Sequence, residues 1–405
     1  MIARQMVQLD GELPEFALRR VRRFYSERYF ASWGGKSIFS GRTPSVGSIV
    51  LQSNDYLSIG SDYRLLDAMS CACMRSQSYG YMSGVFLKDD DPLRELEHRL
   101  ASFLGYEESL LTQSGYAANV GLLQAIVEPG TPIYLDTLAH ASLWDGVISA
   151  RGVPVRFAHN DMASLQAKVT EYGPGVIAVD SVYSTNGSLC DLVACADVCS
   201  RNQCVLVVDE SHSLGTHGVH GEGIVASMAL TGRVHFVTAS LAKAYACRAG
   251  LIACHPGLKL FIMMSSRPAI FSSALLPVDA AGIRAAHELI VESDERRTRL
   301  RSISRYVREE LGRLGYPVGN GSEQIIALEV GDERAVMEVR DQLESDDIFG
   351  SIFCPPATGI RRCLLRLSLS SGLSDAEIAR LVDVFRQRRG RLRPSHWVAS
   401  RLPAE

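Results

Sequence analysis

Lys243 stands midway along the run "VTASLAKAYACRAG" (237–250), three residues after Ser240, where a stretch of buried-strand character gives way to small residues. The run "CVLVVDE" (204–210) carries Asp209, with His212 three residues further on, and "PIYLD" (132–136) is followed by "LAHASLWDG" with His140. Each side chain alone has a plain structural reading: Asp209 caps a helix beside a surface histidine, and His140 is a loop histidine. An amine and a carboxylate at neighbouring strand ends are harder to explain, because right-handed crossovers between parallel strands turn both toward one pocket. The combination suits pyridoxal phosphate. That cofactor needs a lysine amine for a Schiff base, an acid that keeps its ring nitrogen charged so that the ring draws electrons, and donors for its phosphate. Lys243 is the amine and Asp209 the acid. Ser240 is placed to reach the phosphate, and His140 offers a plane to lie over the ring. "SGYAANVG" (114–121) has the form of a glycine turn opening a helix whose free N–H groups would cradle an anion, although by itself it reads as an ordinary helix start.

The elements that must position these residues are legible as short apolar runs: 132–136, "VPVRFAH" (153–159), "GVIAVDSVYS" (175–184), 204–210, "VHFVTAS" (234–240) and "GLIACH" (250–255). Continuous apolar runs, rather than strict alternation, predict strands buried on both faces, hence a mainly parallel α/β sheet whose ligands gather beyond the strands' carboxyl ends. "DDDPLRELEHRLASFLG" predicts a helix with Asp91 as N-cap, Pro92 in the first turn, a stripe of Leu93, Leu96, Leu100 and Leu104, and Gly105 as the stop. Residues 277–314 read as long helix. A smaller α+β unit follows, with strands "IIALEV" (325–330) and "CLLRLSLS" (363–370), a helix near 333–345, and a last helix opened by a Ser374–Glu377 capping box with apolar residues at 378, 381, 382 and 385. The expected organisation is an N-terminal arm (1–50), a large cofactor-binding domain (51–285), a small C-terminal α+β domain (286–390) and a tail (391–405).

Composition sets the background. Of 405 residues, 46% are hydrophobic and 21% charged, with a net charge of −3, so a soluble globular protein is expected, with no electrostatic footprint for nucleic acid. The basic runs "RRVRR" (19–23) and "RQRRGRLR" (386–393) adjoin helical patterns and read as solvated helix faces or a mobile tail. Ten scattered cysteines show neither zinc-ribbon spacing nor disulfide density, and no metal is expected. The start lacks an apolar signal region, and no stretch reaches the roughly 18 apolar residues of a membrane span. A cytoplasmic location is the expectation.

Seven motifs in order, "NDYLSIG" (54–60), "SGYAAN" (114–119), "AHASLWDG" (139–146), "VYSTNG" (182–187), "VVDESHSLGTHGVHGEG" (207–223), "SLAK" (240–243) and "IFSSALLP" (270–277), resemble those of the α-oxoamine synthases, fold-type I pyridoxal phosphate enzymes of aspartate aminotransferase-like fold. The resemblance spans about residues 50 to 375. It implies that Lys243 carries the cofactor, that Asp209 pairs with the pyridine nitrogen, that His140 stacks on the ring, and that His212 and Ser184 hydrogen-bond its phenolic oxygen. Ser114, Gly115, Tyr116 and Ser240 would line the phosphate side. Ser272 and Ser273 would reach the phosphate of the other subunit, because the family's sites form at a homodimer interface. Asn54 would lie near the substrate, and Arg366 would hold its carboxylate as a planar bidentate donor; the plain reading of Arg366 is a strand-edge salt bridge.

Some positions depart from the family pattern: "SYGYMSG" (78–84) followed by "VFLKDDDP", Ala244 after the lysine instead of glycine, and Asp180 where glutamate is frequent. With these the chain is most similar to the branch of cholera-type quorum-sensing autoinducer synthases. The implied activity is a decarboxylative, Claisen-like condensation of S-adenosylmethionine or a 2-aminobutyrate-like amino donor with a medium- or long-chain acyl-CoA, giving an α-amino ketone. The alternatives are a metabolic α-oxoamine synthase (8-amino-7-oxononanoate synthase, glycine C-acetyltransferase or serine palmitoyltransferase type), a fold-type I aminotransferase, and a non-catalytic protein that keeps the fold. The retained Lys243, Asp209 and His140 argue against the last.

Overall fold

A computed structural model describes residues 13–75, 82–319 and 324–397. The start of the chain to residue 12, positions 78–81 of the glycine-rich run and the tail beyond 397 lie outside the described residues. In chain order the strands are β1 (Ile49–Val50), β2 (Glu108–Thr112), β3 (Pro132–Asp136), β4 (Val153–Phe157), β5 (Val176–Asp180), β6 (Val205–Asp209), β7 (Phe236–Ser240), β8 (Gly250–Cys254), β9 (Ile325–Gly331), β10 (Ile348–Phe349), β11 (Ser351–Phe353) and β12 (Cys363–Ser368).

Seven of these strands form one sheet in the order β2-β8-β7-β6-β5-β3-β4. Strands β3 to β7 are mutually parallel, whereas β8 runs antiparallel to both β7 and β2. The mainly parallel α/β fold expected from the apolar runs is therefore the fold observed. Central β5 and β8 are buried at every residue, as strands covered on both faces must be. Strand β4 lies at the sheet edge, buries only Val155 and Phe157, and there tolerates Pro154, which has no N–H to give to a ladder. Strand β2 had no counterpart among the expected strands: its two leucines are flanked by polar residues. Tertiary contacts make it a strand, since the buried Glu97 carboxylate accepts the Leu111 N–H at 2.8 Å and the Glu97 carbonyl accepts the Ser109 hydroxyl at 2.6 Å.

Parallel strands deliver their last residues to one side. Asp180 of β5 is paired in register with Asp209 of β6, and Asp209 with Thr238 of β7. The helix Pro92–Phe103 is capped by Asp91 and buries the four-leucine stripe as expected. The stretch from 277, read as continuous helix, is instead two helices, Pro277–Val291 and Asp294–Arg313. At the break, the Ser293 hydroxyl donates to the Leu289 carbonyl at 2.5 Å and the buried Arg297 guanidinium to the Ile290 carbonyl at 2.6 Å, satisfying groups that a continuing helix would have used.

These helices lead to a three-stranded antiparallel sheet, β11-β12-β9. The closing helix Asp375–Leu392 has the Ser374–Glu377 capping box and buries Ile378, Leu381, Val382 and Phe385. The segment around residues 49–56 is stitched to this part of the chain: β1 pairs with β10, the Ser368 N–H donates to the Leu51 carbonyl at 3.0 Å, and the Ser371 N–H to the Tyr56 carbonyl at 2.9 Å. No helix among the described residues is long and apolar enough to cross a membrane.

The loop after β6 is held by Glu210, whose Oε1 accepts the N–H groups of Ile224 (2.6 Å) and Val225 (3.0 Å). Burial pushes this carboxyl from 4.5 up to about 7. The folded state thus holds the proton more tightly, and the resulting stabilisation is complete below about pH 4.5 and lost as pH rises through about 7. Glu210→Gln should gain on the parent by about 3 kcal/mol between pH 5 and 8 in urea unfolding; parallel pH profiles for the two proteins would refute this.

Candidate active site

The strand ends converge on a polar cluster centred on Asp209. Asn119, in the helix Gly115–Ile126, donates from Nδ2 to Asp209 Oδ2 at 2.6 Å and to Ser142 Oγ at 2.8 Å, and its Oδ1 accepts from Thr238 at 2.6 Å. The Ser211 N–H gives Asp209 a further donor at 2.8 Å. The Ser142 N–H donates to His140 Nδ1 at 3.3 Å, with the Ser142 hydroxyl 2.7 Å from the same nitrogen. His140 is therefore the Nε2–H tautomer, and burial, reinforced by the Lys243 charge, holds its pKa below the ordinary histidine value. The backbone N–H of His140 donates to Asp180 at 3.0 Å. Asp180 has its pKa raised well above the carboxylate range by burial and by Asp209 beside it.

Lys243 lies in the turn between β7 and β8, mostly withdrawn from water, and its amine has no hydrogen bond or ion pair among the described residues. Burial and then the Arg366 charge lower its pKa, against the opposing pull of Asp209 and Asp180. His212 is held further down, well below its ordinary value, by burial and then by Lys243, Arg366 and His140. These mutual influences are those of charged groups near one another, and they join the four groups to Asp209 in one cluster.

Arg366, in the middle of β12, enters from the small sheet. Its Nη1 donates to the Ser184 carbonyl at 2.6 Å, its Nη2 to Asn54 Oδ1 at 2.7 Å, and it stacks on Phe353 at 4.6 Å. No carboxylate pairs with it among the described residues, so the strand-edge salt bridge is not what holds it. Its Nε is buried without a partner. A buried guanidinium with a donor to spare is matched by a ligand carboxylate.

On the far side, Ser114 caps the helix Gly115–Ile126 by accepting the Ala117 N–H at 3.1 Å, leaving the N–H groups of Gly115 and Tyr116 without a carbonyl inside the helix. A Cβ on Gly115 would stand 2.6 Å from Ser240 Cβ, so only glycine lets this turn approach the end of β7. Tyr116 is partly exposed and its hydroxyl donates to Asp145. Ser272 donates to the Pro268 carbonyl, and the Ser273 carbonyl accepts from Gln113 Nε2 at 2.6 Å, which sets this segment beside the Ser114 turn.

Residues 49–385 match the family described as aminotransferase class I and II. The chain is 40% identical over 366 residues to a CAI-1 autoinducer synthase of Vibrio campbellii, covering 90% of this chain and 93% of that one. It is 30% identical to a 2-amino-3-ketobutyrate coenzyme A ligase of Salmonella typhimurium, covering 85% and 88%. The chain belongs to the α-oxoamine synthase family. Its fold is that of Sphingomonas wittichii serine palmitoyltransferase, with a TM-score of 0.81 at 24% identity over 85% of this chain and 88% of that one. Structures of serine palmitoyltransferase with pyridoxal phosphate share the same fold.

The residues of this α-oxoamine synthase fit that cofactor. The partnerless Lys243 amine suits its aldehyde, and the Gly115 approach with its free N–H groups suits a phosphate. Of the residues named from the sequence, Asp209, His140, His212, Lys243 and Arg366 come together here, Arg366 holds Asn54 and Ser184, and Ser114, Gly115 and Ser240 meet at the end of β7, whereas Tyr116 turns its hydroxyl to Asp145 and Ser272 and Ser273 lie on the neighbouring segment. The structure adds Asn119, Ser142, Thr238 and Tyr56. Asn119 had a signal, being the one carboxamide in an otherwise small and apolar helix start, "GYAANVGLL"; Thr238 and Ser142 had none, because only the strand order brings them to Asp209.

The lowered pKa of Lys243 has a direct readout. Uptake of pyridoxal phosphate by cofactor-free protein, which needs the neutral amine, should reach half its maximal rate below the ordinary lysine value of 10.5. Arg366→Gln, by removing a cation, should move that midpoint upward; a stopped-flow profile with a midpoint unchanged by the substitution would contradict this origin of the shift.

Proposed function

We propose that this α-oxoamine synthase joins an amino donor, S-adenosylmethionine or 2-aminobutyrate, to a medium- or long-chain acyl-CoA and releases an α-amino ketone that serves as a quorum-sensing signal. The observation that carries the chemistry is the half-buried, partnerless amine of Lys243 in the same cluster as Arg366. The signalling role is supported by the likeness to the Vibrio campbellii autoinducer synthase.

Pyridoxal phosphate, when bound, supplies an aldehyde that captures amines and a ring that draws off the electron pair left when the substrate's α-proton is removed. The residues divide the remaining work. Lys243 anchors the cofactor and, once displaced by the amino substrate, takes the α-proton as a general base, a role suited by its lowered pKa. Asp209, oriented by Asn119 and the Ser211 N–H, would pair with the ring nitrogen, and His140 would lie against the ring. His212 and Ser184 serve the phenolic oxygen. Ser114, Gly115, Tyr116 and Ser240 hold the phosphate, with Ser272 and Ser273 reaching the site of the other subunit of a homodimer. Asn54 and Arg366 hold the substrate carboxylate. A carbon–carbon bond forms between the substrate α-carbon and the acyl carbonyl, the thioester C–S bond breaks to release CoA, and the carboxylate leaves as carbon dioxide. The division near residue 285 into a cofactor-binding part and a smaller carboxylate-binding part belongs to the same proposal, as does a cytoplasmic site of action.

Borohydride reduction of the holoenzyme followed by peptide mass mapping should find the cofactor on Lys243, and Lys243→Ala should lower turnover by about 10² or more. Mass spectrometry of products from a panel of amino donors and acyl-CoAs should give α-amino ketones of long chain. Strict preference for glycine with acetyl-CoA would instead make the protein a metabolic α-oxoamine synthase, and keto-acid-dependent amino transfer without release of CoA an aminotransferase.

A further inference from the structure

We propose that Tyr56 is a positioning residue for this site: its hydroxyl holds His212 as the Nδ1–H tautomer and leaves the imidazole Nε2 as a hydrogen-bond acceptor. The inference rests on the cofactor reading above for what Nε2 faces, but the hydrogen-bond direction follows from the chain's own residues.

The direction is set at Arg366, because a guanidinium only donates. Its Nη2 lies 2.7 Å from Asn54, so the carboxamide must turn its oxygen there. The same oxygen is 3.1 Å from the Tyr56 hydroxyl. That contact is a hydrogen bond with Tyr56 as its donor, since the carboxamide oxygen has no hydrogen to offer. The single hydrogen of Tyr56 therefore points to Asn54. Tyr56 Oη then has only lone pairs for its second contact, the His212 Nδ1 at 2.7 Å, so Nδ1 must carry the hydrogen.

His212 has one proton to place, since burial and the neighbouring cations keep its ring neutral. With that proton on Nδ1, Nε2 is bare. Tyr56 stays protonated throughout, as burial pushes its phenol up to about 12. The backbone makes the arrangement rigid: Tyr56 is 1% exposed, its carbonyl accepts the Ser371 N–H, and the His212 carbonyl accepts from Gln324. The consequence concerns the phenolic oxygen of the cofactor. With the cofactor bound, a bare Nε2 would offer that oxygen a hydrogen-bond acceptor and not a donor. The residue proposed to bind the substrate carboxylate is thus linked to the residue proposed to tune the ring: Arg366 and Tyr56 both donate to the Asn54 oxygen, and His212 donates to Tyr56.

The test is the ring-¹⁵N spectrum of protein carrying ¹⁵N-histidine, freed of cofactor, with the His212 signals identified by their loss in His212→Asn. The parent should show a protonated-type Nδ1 shift and an unprotonated-type Nε2 shift for His212; the opposite pattern overturns the proposal, whatever the activity. Tyr56→Phe removes the acceptor and should move Nε2 toward the protonated range, and unchanged shifts would overturn it too. In the holoenzyme Tyr56→Phe should lower kcat by about tenfold or more, as loss of a group that orients a reacting residue does, with KM for the amino donor within about twofold. If Tyr56→Phe does not fold, the parent spectrum still decides. A correct tautomer in a protein that forms no α-amino ketone would refute the proposed condensation and leave the role of Tyr56 standing.

Discussion

The site is organised around an amine taken out of water and given no partner. A charged ammonium in such a place is costly, and Arg366 nearby raises the cost, while Asp209 and Asp180 offset part of it. Protein interiors seldom tolerate that imbalance without a use for it. A lysine left neutral more often, with a lone pair and open space before it, is what carbonyl chemistry needs. The sheet makes this possible, because β7 ends at Ser240 and the tight turn into antiparallel β8 carries Lys243 back over the ends of the parallel strands.

Around that amine the direction of several hydrogen bonds follows from a few groups that only donate or only accept. Asn119 divides its two hydrogens between Asp209 and Ser142, which in turn orients His140. Arg366, through Asn54 and Tyr56, does the same for His212. Such networks lose little by reorganisation when charge moves, since their dipoles already point the right way. Among the groups without partners are the Arg366 Nε and the Lys243 amine, which are proposed to meet substrate and cofactor.

Two parts of the chain supply the site. The large sheet brings Asp209, His140, Lys243 and the Ser114 turn; the small sheet brings Arg366, and residues 49–56, stitched to it by β1–β10 pairing, bring Asn54 and Tyr56. Arg366 closes the junction by donating to the Ser184 carbonyl across it. A shift of the small sheet would therefore be felt at the carboxylate-binding side before the ring side.

The amino-acid sequence by itself determined the parallel strands, their polar last residues and the family, because apolar runs buried on two faces and motifs at strand ends are local in the chain. It determined the helix Pro92–Phe103 to its caps, since capping is a matter of adjacent residues. Strand β2 was not legible, because its partner β8 and its support from Glu97 are distant in sequence, and the break at Ser293 was not, because the carbonyls it frees are satisfied by the side chains of Ser293 and Arg297. Tertiary structure alone decided which hydrogens go where. That Tyr56 meets His212, and Asn119 meets Asp209, depends on strand order and on the packing of the small sheet, and no spacing in the chain encodes a contact between residues 156 or 90 positions apart.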